Sequence, residues 1–338
     1  MKLDVGVFAY NEAKGIAEFL ENLLSQSAIT SGEMDVQLFL LANGCTDDTA
    51  DVARAIIDKQ NHSNVKICEL TASGKSRTWN TFVHEISRGD TDILAFLDAD
   101  IVFSTPDVLA QLVEQIEKQP EAACIVSRPV KDLSFMTSEL TFVEKLIASG
   151  DSADANWHKS ICGQLYIMRE QAARQIYLPI GLPVEDGFIR AMLLTDNLTK
   201  EEDFDRINGL ASVFHIFEAE RTISSLVRHQ VRIIIGSAVN AAVFSFLRKL
   251  EPERRVNALK EASRSESWLS EVLRQELPAW PHGWVPVHFL VKRTSNGLKT
   301  RGFGPAGLSK IILAFFFDLV VYVLAQARMM RGTGVGFW

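Results

Sequence analysis

Residues 93–100 read Ile-Leu-Ala-Phe-Leu-Asp-Ala-Asp. Five apolar residues in a row suit a strand buried on both faces, and the run ends at Asp98 with a second carboxylate at Asp100. Two acids at i and i+2, where a strand leaves a sheet, can share one hard divalent cation. Mg²⁺ and Mn²⁺ prefer oxygen ligands and often bridge to a substrate's phosphates. An isolated triplet of this kind reads more simply as a solvated loop with an Asp cap, so its surroundings decide.

Upstream the pattern alternates. Val5–Tyr10 and Val36–Ala42 are apolar runs suited to strands, Val65–Leu70 predicts a third strand, and Ile93–Leu97 is the fourth. Between them, Ile16, Phe19, Leu20, Leu23 and Leu24 recur at helical spacing, as do Val52, Ile56 and Ile57 after a cap position at Thr46 and Asp47. Lys75–Ser87 predicts a third helix, Leu109–Ile116 a fourth, and Cys124–Ser127 a fifth strand. Strands alternating with helices imply βαβ units and an α/β fold with a mainly parallel sheet flanked by helices. Ligands of such sheets bind beyond the carboxyl ends of the strands. The residues there are Asn11 and Glu12, Asn43, Gly74 and Lys75, and Asp98 and Asp100. A side chain at Asn43 can read a base edge while Gly44 lets the backbone turn. Lys75, opening a helix, suits a phosphate. The stretch is not GxxxxGK[ST], so a P-loop is not supported.

In this order the residues resemble the family 2 glycosyltransferases of the GT-A (Rossmann-like) fold. The resemblance rests on the first strand with Tyr10-Asn11-Glu12, on NGCTDDT at 43–49 where the family usually has DDGSTDGT, on GKSRTWN at 74–80, and on LDAD at 97–100. It is strong over 3–130 and weaker through Gly163–Arg169, Glu185-Asp186 and Arg221–Gly236. It implies that Phe8, Tyr10, Glu12 and Asn43 hold a uracil or guanine base, with Asn43 replacing the usual acid. It also implies that Lys75 lies near the nucleotide, that Asp98 faces the ribose or metal, and that Asp100 is the main ligand of Mg²⁺ or Mn²⁺. An acid of the Glu185-Asp186 pair would deprotonate the acceptor hydroxyl, Asp186 being favoured and Glu185 the alternative; a carboxylate does this within hydrogen-bond reach while ionised. Processive members carry QxxRW, whereas the aligned stretch here is His229-Gln230-Val231-Arg232-Ile233, which argues against a polymer synthase. Arg228 and Arg232 share a helix face, either meeting the departing diphosphate or forming a solvated basic surface. His215 is a metal ligand or, more simply, a satisfied structural histidine.

The resemblance implies metal-dependent, inverting transfer of one sugar from a nucleoside diphosphate sugar to a saccharide or lipid-linked acceptor. A sugar nucleotidyltransferase is one alternative, but it would need a Gly/Arg/Lys-rich loop where Ala9–Ala13 stands. A catalytically degenerate membrane scaffold is the other. The expected organisation is a nucleotide-sugar half at 1–130, an acceptor and catalytic half at 131–250, and a helical C-terminal region at 251–338. Within 131–250, Ser134–Ala148 predicts a helix, Ile161–Met168 a strand, Pro179–Glu185 a loop and Arg221–Leu250 a long helix. Glu251–Pro286, with Trp268, Trp280 and Trp284, is helical packing or a lid.

Length and composition set outer limits. The 338 residues allow about two domains. A net charge of −7 argues against nucleic acid as a partner. Cys45, Cys68, Cys124 and Cys162 form no CxxC pair, which points to reduced thiols in a cytoplasmic protein. The start MKLDVGVFAYNEA has no h-region of a signal peptide. The last 47 residues differ: they carry seven Lys/Arg and one acid, Asp318, and so leave a charge of −13 on the rest. Within them Ile311–Ala325 has 14 apolar residues out of 15. A span needs about 20 and would bury Asp318. The alternatives are a helix on the cytoplasmic membrane surface, flanked by Lys292, Arg293, Lys299, Arg301, Arg328 and Arg331, and a helix packed on the catalytic domain. Ile233–Leu247 reads as a packed helix.

Overall fold

The computed structural model describes residues 1–60, 62–136, 141, 144, 156–277, 285–290 and 305–332. The strands are β1 (Lys2–Ala9), β2 (Asp35–Asn43), β3 (Val65–Leu70), β4 (Ile93–Asp98), β5 (Ile101–Phe103), β6 (Cys124–Lys131), β7 (Leu165–Arg169) and β8 (Ile207–Phe217). They form one sheet in the order β3-β2-β1-β4-β7-β6-β8-β5. The helices are α1 (Ile16–Leu24), α2 (Ser27–Thr30), α3 (Thr49–Gln60), α4 (Lys75–Thr81), α5 (Val108–Lys118), α6 (Glu170–Ala173), α7 (Glu185–Leu194), α8 (Ile223–Arg248), α9 (Pro252–Ala262), α10 (Trp268–Glu276) and α11 (Pro305–Met330).

The sheet is mixed, which narrows the expectation of a mainly parallel one. β1, β2, β3 and β4 pair in parallel, and β2, β3 and β4 each follow helical structure that returns the chain to run the same way. β7 runs against both β4 and β6, and β5 runs against β8. The strand expected over 161–168 begins only at Leu165, because 161–164 form a loop that bends at Gly163 with φ +78°. The helix expected over 134–148 falls almost wholly outside the described residues, and Asp132–Phe135 is a short 3-10 turn. Trp280, Trp284, Lys292, Arg293, Lys299 and Arg301 also lie outside them.

Side chains alternate across the sheet with period two. Leu3, Val5 and Val7 of β1, Leu38 and Leu40 of β2, and Ala95 and Leu97 of β4 join one core with Phe19, Leu109 and Leu112. Phe8, Phe39, Leu41 and Phe96 face the other, where Trp79, Phe82, Tyr166 and the buried side of α8 meet them. Both faces are thus covered, which is why β2 and β4 read as continuous apolar runs. Helix α8 is long and apolar enough to cross a membrane by length and composition, yet half of that stretch is buried in the molecule. It packs against α7, α9, α10 and α11. The region 251–277 is therefore packed helix, with Trp268, Leu269, Val272 and Leu273 in the core. The four cysteines are free thiols.

Candidate active site

The carboxyl ends of β1, β2 and β4 open onto a cavity of about 590 Å³. Its near wall is Phe8, Tyr10, Glu12, Asn43, Lys75, Asp98 and Asp100. Its far wall comes from the ends of β6 and β8, the loop at Cys162 and Gln164, Glu185 and Asp186 at the start of α7, and His229 and Arg232 of α8. Every predicted site residue except Arg228 lines this one space. Arg228 is exposed and donates to Ser224 Oγ at 3.3 Å. The stripe of α8 facing the cavity is Leu226, His229, Gln230 and Ile233; Arg232 lies at its edge and Arg228 lies beyond it.

On the near wall the motif residues hold one another. Asn11 adopts φ +57°, and its Oδ1 accepts from the Thr46 N–H at 2.8 Å. The Glu12 N–H donates to Thr49 Oγ1 at 2.8 Å, and the Ala13 N–H to Asp47 Oδ2 at 3.1 Å. The segment 43–49 is thus a latch on the loop after β1. Gly44 turns at φ +62°, and a Cβ there would sit 2.7 Å from the backbone nitrogen of Ser73. Asn43 is buried, and its Oδ1 accepts from the Gly74 N–H at 2.9 Å and from Thr78 Oγ1 at 2.8 Å. Its carbonyl therefore serves the loop that opens α4.

Lys75 is drawn into a charge cluster. Its Nζ lies 2.7 Å from Asp98 Oδ1, 2.8 Å from Asp98 Oδ2, 3.1 Å from the Gly163 carbonyl and 3.3 Å from Glu185 Oε1. Burial alone would lower its pKa, but the charges of Asp98, Glu185 and Asp186 outweigh it and the pKa rises. The side chain expected near the nucleotide therefore spends its charge bridging the two walls. Burial likewise pushes Asp98 up, opposed by Lys75 and reinforced by Asp100. Glu12 rises to about 7, by burial and then by the charges of Asp100, Asp47 and Glu218. Asp186 rises to about 6, through burial and the charge of Glu185, with the Gly187 N–H, Lys75 and Arg232 pulling the other way. Perturbed carboxylates gathered in a cleft mark a reaction site.

Among the described residues no three His, Cys, Asp or Glu side chains cluster as metal ligands. The chain offers instead an open pair: Asp100, exposed at the cavity, and Asp98, already shared with Lys75. That all-oxygen, incomplete set fits a hard cation that takes its remaining ligands from a diphosphate and water. His215 takes the structural role. It is fully buried, within 3.0 Å of Ser127 Oγ and 3.2 Å of Gln164 Oε1. Burial drops its pKa to about 3.

The far wall adds Lys131, Gln164, Glu218 and Glu220, which no motif singled out. Their only sequence signal is position at a strand end or on the exit loop after β8. The carbonyl of Gly163 is a similar case, since only the positive φ at a glycine hints at it.

A glycosyl transferase family 2 profile matches residues 4–181. The 4,4'-diaponeurosporenoate glycosyltransferase of Staphylococcus aureus is 27% identical over 131 residues, 38% of this chain and 31% of that protein. The match thus spans about a third of the length of that curated relative. The mannosyltransferase PcManGT of Pyrobaculum calidifontis, solved with GDP-Man and Mn²⁺, superposes with a TM-score of 0.56 at 16% identity, over 96% of this chain and 86% of that one. TarS 1–349 of S. aureus, solved with UDP-GlcNAc, superposes at 0.50 and 16%, over 98% and 92%. These superpositions place the fold in the GT-A class. With more than half of its length inside the family profile, the chain belongs to glycosyl transferase family 2.

Proposed function

We propose that this glycosyltransferase moves one sugar from a nucleoside diphosphate sugar to an acceptor hydroxyl, inverting the anomeric carbon. The observation that carries the reading is the convergence of Asp98, Asp100, Glu185 and Asp186 with Lys75 around a single cavity at the strand ends. Four acids meeting from two distant segments also favour an enzyme over a degenerate scaffold.

In this reading Phe8, Tyr10, Glu12 and Asn43 hold the base, and Arg232 and Lys131 on the far wall face the diphosphate. Asp100 and Asp98 would hold Mg²⁺ or Mn²⁺, which when bound neutralises charge on the departing diphosphate. Asp186 accepts the proton of the attacking hydroxyl, its raised pKa making it a stronger base than an ordinary aspartate. Lys75 holds Asp98 and Glu185 in place, tying the donor half (1–130) to the acceptor half (131–250). The nucleotide sugars carried by the two solved relatives support the donor class. A saccharide or lipid-linked hydroxyl is the acceptor class proposed.

Thermal unfolding with UDP-, GDP- and dTDP-sugars, each with and without Mn²⁺, tests the donor half. A donor that binds only the folded state raises Tm by mass action. The reading predicts a rise for at least one sugar nucleotide, larger with Mn²⁺ and lost in Asp100→Asn. No rise with any donor, with or without metal, would refute it.

A further inference from the structure

Helix α11 is largely apolar, yet among its described side chains only one side is covered. Asp318, Val321, Ala325 and Met329 are buried, and Tyr322 Oη donates to the Val285 carbonyl at 2.9 Å. That side packs along α8. The opposite side carries Ile312, Phe316, Val320, Val323 and Leu324, all exposed, with Phe316 at 59%. At about 100° per residue these five fall within roughly a third of the helix circumference, away from the buried row. Five large apolar side chains in one row form a patch that soluble surfaces seldom leave bare.

We propose that this row docks flat on an anionic lipid surface, with α11 lying on the membrane while its other side stays packed on α8. Charge selects the occupant. The 47-residue tail carries a net +6, and its single acid, Asp318, is turned into the protein. Arg328 and Arg331 are exposed at the end of the helix. The remaining 291 residues carry −13, so the net positive charge that would meet acidic headgroups belongs to this end of the chain. A second copy is the poorer partner, because a two-fold contact would set the same basic surface against itself. A span is disfavoured because Asp318, Val321, Ala325 and Met329 bind one side of the helix to the protein. Helix α8 also supplies His229 and Arg232 to the cavity, so the lipid surface and the acceptor half share one element.

Flotation of the full chain with phosphatidylglycerol/phosphatidylcholine vesicles tests this. The expected result is binding at least tenfold tighter than to phosphatidylcholine alone, weakened by salt. Phe316→Ser with Val320→Ser, both at exposed sites, should cut it at least tenfold, and Arg328→Glu with Arg331→Glu should do likewise. Both pairs should keep the native thermal shift with a sugar nucleotide. Equal binding to neutral vesicles, unchanged binding by the Ser pair, or a dimer in solution that the Ser pair disrupts would each overturn the proposal. Failure of the unsubstituted chain to bind the anionic vesicles, with its donor binding intact, would sink this inference alone and leave the enzymatic reading standing.

Discussion

The two walls of the cavity are built in different ways. The near wall is made of three strand ends, the short segments after them and the start of α4, and its motifs fix one another: Asn11 by Thr46, Glu12 by Thr49, Gly74 by Asn43. The far wall is drawn from five separate segments, and it meets the near wall through Lys75. A wall of interlocked motifs is stiff, and in the proposed function it carries the donor. A wall of distant segments can vary in shape, and there the proposal puts the base that must suit an acceptor. Lys75 is where a change in one wall reaches the other.

The sharpest way to break this comparison is at the near wall's acids. Asp100→Asn keeps the shape and removes the charge. It should lower kcat/KM about a thousandfold or more, since a metal-assisted leaving group is worth several kcal/mol. The loss should not be rescued by raising Mn²⁺. A residual rate within tenfold of wild type would move the metal reading away from this strand end.

The far wall's counterpart is Asp186→Asn, expected to cost about 10²–10³-fold in kcat with donor affinity preserved. Its pH signature is separate. Because Asp186 titrates near 6, the wild-type rate should fall as pH drops through that value, where an ordinary aspartate would hold its activity to about 4. Burial and the charge of Glu185 raise that value, and the Gly187 N–H, Lys75 and Arg232 pull it down. If the acid limb survives unchanged in Asp186→Asn, the base is Glu185 or another group.

The same contrast explains what could be read in the amino-acid sequence. The near wall was legible because its chemistry is local: each strand run ends in its own polar signature, and the strand ends share one edge of a parallel sheet. Asp98, Asp100, Glu12 and Asn43 all lie where that rule puts them. The far wall was not. Lys131, Gln164 and Glu218 reach the cavity only because β7 runs against its neighbours and β8 returns beside β6, and neither pairing has a local signal. Role was harder to read than position. Lys75 looked like a phosphate ligand by residue type, and only geometry shows three carboxylate contacts around it. Arg228 and Arg232 looked equivalent at a spacing of four, yet a cavity wall one stripe wide admits only the second.

A further test asks how firmly the far wall is seated. His215 is buried and neutral, with a pKa near 3 when folded against 6.5 when unfolded. Between those values the unfolded chain holds one more proton, so stability falls as pH is lowered through that window. From pH 6.5 to 4.5 the loss is roughly 2–3 kcal/mol from this group. His215→Gln keeps a hydrogen-bonding side chain beside Ser127 and Gln164 and removes the titration. Urea unfolding should show a slope against pH that is shallower in the variant by about one proton. Identical slopes would mean that the imidazole is hydrated in the folded protein.

The smallest effect probes the near wall's interlock. Asn43→Ala leaves the Gly74 N–H and the Thr78 hydroxyl without their acceptor, in a buried place. Unmet buried donors cost about 1–2 kcal/mol of stability. Asn43→Asp presents the same acceptor to both donors but buries a charge, so at neutral pH its stability in urea should fall between wild type and the Ala variant. The pair separates two roles of one residue. If position 43 only braces the α4 loop, donor binding should weaken in the Ala variant and persist in the Asp variant, whatever the base. If it also reads the base, the Asp variant should still bind a donor yet change its ranking of UDP- against GDP-sugars, because the amide N–H₂ has become an acceptor. Equal stability of both variants would show that the loop opening α4 is held by its own backbone, and the near wall would then be less interlocked than the far one.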